Sequence, residues 1–171
     1  MKLKFGRYHN KHLEDVVIDY GDYVSWMLGC KTPFQELQAL LPDVRRLVTV
    51  FDSKPILLRC QKPGCGADAT CIAITQSHRG VRACATCQIR GEIYRIKSYG
   101  DAWLFTKLFR DDPRLFLRTL VRELAYAKGL PKRARYSDRK QFFVIRNAPL
   151  IAPGSPIIRN APLKAPSSPT P

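Results

Sequence analysis

Five cysteines between Leu58 and Gln88 constrain this chain more than anything else in it. Four residues separate Cys60 from Cys65, two separate Cys84 from Cys87, and eighteen lie between the pairs. This is close to the doubled cysteine pairs of zinc sites. Tetrahedral Zn²⁺ takes four ligands, with sulfur about 2.3 Å away, and a tight turn brings two thiolates from one loop onto it. Pro63-Gly64 supplies the first turn, and Gly66 is expected to let the chain leave Cys65 in a conformation other residues resist. The linker alternates Ala69, Cys71 and Ala73 against Thr70, Ile72 and Ile74. It then turns at Ser77-His78-Arg79-Gly80 and returns. The expectation is a zinc ribbon: strand, hairpin and strand with a metal knuckle at each end.

Other uses of these residues are weaker. Cys71, among small apolar neighbours in mid-strand, reads as a buried thiol, and His78 as a polar residue of the hairpin tip. A disulfide framework would suit a secreted chain, but Met1-Lys2-Leu3-Lys4 leads directly into structured sequence with no secretory leader. A catalytic zinc keeps three protein ligands and an open position. The set Cys60, Cys65, Cys84 and Cys87 is all cysteine and closed, so the expected cofactor is structural Zn²⁺.

Charge points to a partner. The chain of 171 residues carries a formal +15, and the excess is uneven. Residues 1–58 hold 8 basic and 7 acidic side chains, residues 59–99 hold 7 and 2, and residues 100–171 hold 14 and 5. A positive field on the cysteine region and everything after it suits a polyanion, nucleic acid first. No apolar run is long enough to span a membrane. A soluble, intracellular, non-secreted protein of the cytoplasm, nucleoid or nucleus is expected.

Before the cysteines, Met1–Phe5 reads as a short strand. Leu13, Val16 and Val17 recur at helical spacing, and Glu14, Asp15, Asp19 and Asp22 read as a solvated acidic face. Asp22 can cap a second helix burying Tyr23, Trp26 and Met27, with Phe5 completing a small core. Thr32-Pro33-Phe34-Gln35 has the form of a capping box. The helix it opens should bury Phe34, Leu37, Leu40 and Leu41 and stop at Pro42.

The run FGRYHNKHLEDVVIDYGDYVSWML resembles the exodeoxyribonuclease X-like C-terminal module through Phe5, Gly6, Tyr8, Leu13, Val16, Tyr23 and Trp26. Arg7, Asn10 and Tyr20-Gly21 stand where that family has lysine, glycine and Asp-Pro. The resemblance covers about residues 3–28. It implies a small accessory module beside DNA-processing domains, with a nucleic-acid role and no nuclease activity of its own. No triad or phosphate loop appears elsewhere, so neither an enzyme nor a small-molecule substrate is expected.

Past the cysteines, residues 89–98 alternate imperfectly as one more strand, and Asp101–Phe109 reads as a short helix. The strongest helix follows, capped by Asp111 or Asp112, begun by Pro113 and ended by Gly129. Phe116, Leu117, Leu120, Leu124 and Ala127 gather on one side, and Arg114, Arg118 and Arg122 on the other. Three arginines one turn apart repel one another and suggest a phosphate-tracking face. Lys128, Lys132, Arg133, Arg135, Arg139 and Lys140 then crowd around Tyr136, a mixture suited to backbone contact with base stacking. Residues 145–157 and 158–170 repeat IRNAPL with a period of 13, and seven of the 13 prolines fall in residues 149–171. Such a tail is expected to be extended and disordered.

The composite expectation is an α+β chain. Its parts are an exodeoxyribonuclease X C-terminal-like module over 1–50, a zinc ribbon over 51–99, a basic helical segment over 100–143 and a Pro-rich tail over 144–171. The expected function is non-catalytic nucleic-acid binding, of DNA or RNA, within a larger processing complex with protein partners. Contacts would come from Lys62, Arg82, Arg114, Arg118, Arg122, Lys132, Arg133, Arg135 and Tyr136. The rival is an assembly factor whose ribbon and tail dock proteins.

Overall fold

The computed structural model describes residues 1–77, 79–108 and 113–144, apart from the side chains of Leu108, Pro113, Arg114 and Leu115. The His78 tip, the Asp111/Asp112 cap and the repeat tail beyond residue 144 lie outside the described residues. In chain order the elements are α1 (Leu13–Asp19), α2 (Gly21–Gly29), α3 (Gln35–Ser53), β1 (Cys71–Thr75), β2 (Gly80–Ala83), β3 (Glu92–Ile96), α4 (Tyr99–Leu108), α5 (Pro113–Ala127) and α6 (Tyr136–Phe142). The fold is α+β, with an antiparallel sheet in the order β2-β1-β3.

The alternation in β1 carries into space. Ile72 pairs with Ile96 and Ile74 with Tyr94, and this face joins the helical core. Cys71, Ala73 and Ala83 form a small cluster of their own with Ile89 against it. Cys71 is buried, its Sγ lying 3.4 Å from the Ala83 carbonyl. The helical core runs from Leu3 and Leu13 through α3 and the sheet to Leu124 and Phe143. Residue 50, the expected end of the first module, falls inside α3.

Caps fix the helix ends. Ser98 Oγ accepts from the Asp101 amide at 3.0 Å while the Asp101 carboxylate accepts from the Ser98 amide at 3.0 Å, a capping box that opens α4. Tyr99 then ties three helices together: its amide donates to Asp52 (2.7 Å) and its hydroxyl to the Val17 carbonyl (2.9 Å). At the other end of α5, Leu130 N–H donates to the Ala125 carbonyl (2.9 Å) and Gly129 N–H to that of Tyr126 (3.0 Å). Gly129 sits at φ +99, so this is a Schellman stop, as its glycine suggested.

Several local expectations are corrected. α3 passes straight through Pro42. An interior proline costs a helix about 3 kcal/mol, but Pro42 is exposed, while Leu37, Leu40, Leu41, Val44, Leu47, Val50 and Phe51 are buried on one stripe. At about 1.5–3 kcal/mol per buried side chain, the stripe prevails. The Thr32–Gln35 capping box does not form; Phe34 is the extended, exposed N-cap residue, and it meets Phe5 edge-on at 4.8 Å. Met1–Phe5 makes a single bridge, Lys2 to His12, because the chain turns at Gly6 (φ +73) before a strand can extend.

The second helix buries Met27 as expected and half-buries Tyr23 against the core, but it leaves Trp26 outside. Gly21, Val24, Ser25 and Met27 face inward, and Trp26 is 47% exposed. Gly21 explains this, since a Cβ there would lie 3.0 Å from Leu117 and 3.1 Å from the Tyr99 hydroxyl. The side with small residues allows α5 to approach closely, and Trp26 is left outside.

Candidate metal centre and basic surface

The first cysteine pair sits on a short stem. Arg59 bridges to Asp68, Ala69 N–H donates to the Leu58 carbonyl (3.0 Å), and Cys60 N–H donates to that of Ala67 (3.0 Å). The tight turn is closed by Cys65 N–H to the Lys62 carbonyl at 3.0 Å, with Gly64 at φ +76. Gly64, not Gly66, therefore carries the left-handed conformation. Gln61 fastens the stem to β2: its amide donates to the Arg82 carbonyl (2.8 Å), and its Oε1 accepts from the Arg82 amide (2.8 Å).

The second pair follows β2 directly. Its loop carbonyls converge on one guanidinium, that of Arg95 on β3. Arg95 donates to the carbonyls of Cys84 (3.1 Å), Ala85 (3.3 Å) and Cys87 (2.6 Å). Glu92 holds the same guanidinium, at 3.0 Å through Nη2 and also through Nε, and its carboxyl lies below the usual range chiefly because of Arg95. Sequence reasoning missed this clamp. The i, i+3 placement of Glu92 and Arg95 on the strand that follows the second cysteine pair was its only trace.

Together these elements bring the Sγ atoms of Cys60, Cys65, Cys84 and Cys87 within 4.8 Å of one another. Cys65 and Cys84 are 3.9 Å apart. Four sulfurs about 2.3 Å from a tetrahedral ion would be about 3.8 Å apart, so small side-chain movements close the shell. The cluster can hold a metal ion. Its protons are already unequal: hydrogen bonds from Thr86 and Cys87 bring the Cys84 thiol down to about 6, and Cys84, Cys65 and Cys60 push Cys87 up to about 12. Thiols this close cannot all ionise without a cation between them. Cys71 stands outside the group and is buried, which raises its thiol pKa.

The expected nucleic-acid residues have varied surroundings. Lys62 is exposed in the first cysteine turn. Arg82, on β2, points its Nε at the Arg59 carbonyl (3.4 Å). The Arg114 side chain lies outside the described residues. Arg118 covers the Tyr20 ring at 5.6 Å. Arg122 places Nε and Nη2 both 2.7 Å from Asp19. Lys132 lies over the Tyr126 ring at 4.9 Å, Arg133 and Arg135 are exposed, and Tyr136 stacks on His12 at 3.8 Å.

Arg122 of α5 and Arg139 of α6 are thus partners of the α1 carboxylates Asp19 and Asp15, and the solvated acidic face expected from sequence is corrected there. Asp19 is only 8% exposed and accepts from Arg122 and from Arg139, the latter at 2.6 Å; Arg139 also reaches Asp15 at 3.0 Å. Burial alone would raise the Asp19 pKa, but the two guanidiniums more than offset that and hold it below the usual value. Lys128 leaves the basic crowd as well. It is buried and donates to the Asp52 (3.1 Å) and Lys54 (2.5 Å) carbonyls, capping the C-terminal end of α3.

A basic surface remains. Arg59, Lys62, Arg79, Arg82, Arg90 and Lys97 lie along the segment that carries the cysteines, Arg79 at the far end of the β1–β2 hairpin, none in an ion pair among the described residues. A cavity of about 330 Å³ opens beside α5 and α6, lined by Arg122, Lys132, Arg133 and Arg139 together with Tyr126 and Glu123. Among the described residues, no helix is long and apolar enough to cross a membrane. The chain matches no family model, no curated protein and no solved structure.

Proposed function

We propose that the protein is a non-catalytic, zinc-containing nucleic-acid-binding subunit, its zinc a structural ion on Cys60, Cys65, Cys84 and Cys87 in a ribbon-like unit. One observation carries the reading. The segment that organises the cysteines presents six cations free of ion pairs among the described residues, against Asp68 as the carboxylate not committed to Arg95. A merely soluble surface intersperses both signs; this one concentrates positive charge where a closed metal centre stiffens the backbone. Lys132, Arg133 and Arg135 extend the charge onto the loop before α6.

The test is a gel-shift panel of single- and double-stranded DNA and RNA with the full chain across a range of salt. Four to six duplex phosphate contacts give a log–log slope of about −4 to −5. Joint Lys62→Gln, Arg82→Gln and Lys132→Gln changes should flatten it by about 2–3. An unchanged slope in that variant moves the contact surface elsewhere. No binding near physiological salt removes the reading and leaves the assembly-factor role.

A further inference from the structure

The N-terminal helices carry a row of aromatic rings whose tyrosines lean half-buried on the core and whose last member, Trp26, is left open to solvent. Tyr20, the N-cap residue of α2, and Tyr23 and Trp26 within it follow one another at three-residue spacing, with Tyr8 laid against the two tyrosines. Trp26 stacks on Tyr23 (centroids 5.0 Å, 27°), Tyr23 meets Tyr8 edge-on at 5.1 Å, and Tyr8 stacks on Tyr20 at 4.0 Å. Cations close the row: Arg118 lies 5.6 Å from the Tyr20 ring and Arg7 5.7 Å from that of Tyr8. Arg118 Nε is buried with no hydrogen-bond partner. Phe34 and Leu28 are exposed nearby in sequence.

A row of rings built only for packing would bury its largest member, and here Trp26 is the most open. The backbone also holds the row in place. The Tyr23 hydroxyl sits so close to Gly6 (φ +73) that a Cβ there would be 2.1 Å from it, so ring and turn cannot move independently. Asp22, the carboxylate on α2, has a partner of its own. An open indole backed by stacked tyrosines and flanked by guanidiniums matches the two chemistries of an unpaired strand, a flat base and a phosphate. A duplex keeps its base faces covered and cannot use the indole.

We infer that the Trp26–Tyr23–Tyr8–Tyr20 row, with Arg7 and Arg118, is a stacking site for single-stranded nucleic acid. The inference rests on the nucleic-acid reading above and narrows it to unpaired bases. Trp26 takes a base on its open face, and the arginines take neighbouring phosphates. Because stacking is nearly indifferent to base identity, the site is sequence-tolerant.

The test uses the full, metal-loaded chain with a short oligothymidylate and the oligothymidylate–oligoadenylate duplex of equal length. In a Trp103→Phe background the remaining indole emission reports on Trp26, and the single strand should quench it. Trp26→Ala should weaken single-strand affinity about tenfold, which corresponds to about 1.4 kcal/mol. Duplex affinity, the salt slope and the thermal midpoint should hold, and Trp26→Phe should restore most of the loss. If Trp26→Ala lowers the midpoint, Trp26→Gln gives the same comparison, and an affinity loss shared equally by both ligands overturns the site. Wild-type single-strand affinity in Trp26→Ala overturns it while leaving the basic surface intact, even if the variant loses a protein partner. A wild type that binds neither ligand removes both readings.

Discussion

Asp19→Asn is the most informative perturbation of the fold, because α1, α5 and α6 meet at that carboxylate. The change keeps size and polarity but removes the charge that faces Arg122 and Arg139. The two pairs differ in worth. The Arg122 side chain is 46% exposed, so solvent screens it, and that half contributes at most about 1 kcal/mol. The Arg139 side chain is 16% exposed, and its Nε is already buried without a partner. Breaking a fully buried pair costs about 3–5 kcal/mol; Asp15 still accepts from Arg139 at 3.0 Å and softens the loss. We expect about 2–4 kcal/mol in total. At about 2–4 °C per kcal/mol for a chain of this size, an intermediate loss of about 3 kcal/mol lowers the midpoint by about 6–12 °C. Urea unfolding followed by circular dichroism at neutral pH reads it directly. The folded-state pKa of Asp19 is depressed, so its contribution is fully present above the unfolded value of about 3.9. It is lost as pH falls through the folded value, so the gap between wild type and variant narrows only in acid. Asp43→Asn, which breaks the exposed pair with Arg46 (3.5 Å), is the internal control at under about 1 kcal/mol. An Asp19→Asn protein no less stable than that control, or a gap constant down to strong acid, would refute the reasoning.

Two further expectations concern the metal centre and the end of α5. Elemental analysis should find one zinc per chain, lost in Cys84→Ser and kept in Cys71→Ser; Arg95→Leu, which frees the Cys84 and Cys87 carbonyls, should weaken metal affinity about 10–100-fold in competition with a chelator. Gly129→Ala should lower stability by about 1–2 kcal/mol in urea unfolding, since it puts a Cβ at positive φ and 2.9 Å from Leu57 Cδ1; wild-type stability there would remove the Schellman stop as the reason for that glycine.

What this chain announced from sequence alone was whatever depends on neighbours along it. Cysteine spacing located four thiols that meet, the alternation in Ala69–Ile74 located β1 and its two faces, and Pro113 with Gly129 bracketed α5. In each case the residues involved are joined by a turn or a single element, so their geometry follows from local backbone rules. The tertiary structure decided which faces meet. Asp19 finds Arg122 across 103 residues and Arg139 across 120, and no periodicity in either helix records that pairing. The same holds for Lys128, whose partners at Asp52 and Lys54 lie more than 70 residues away, and for Arg95, which reads as a surface strand residue until the cysteine loop folds over it. In α2 both faces carry apolar side chains, so hydrophobicity could not choose between them. Gly21 and Ser25 chose, because close approach of α5 requires small residues at the contact, and Trp26 was left facing solvent. Pro42 shows the same precedence in α3, where a local penalty of about 3 kcal/mol yields to seven buried side chains supplied by the rest of the molecule.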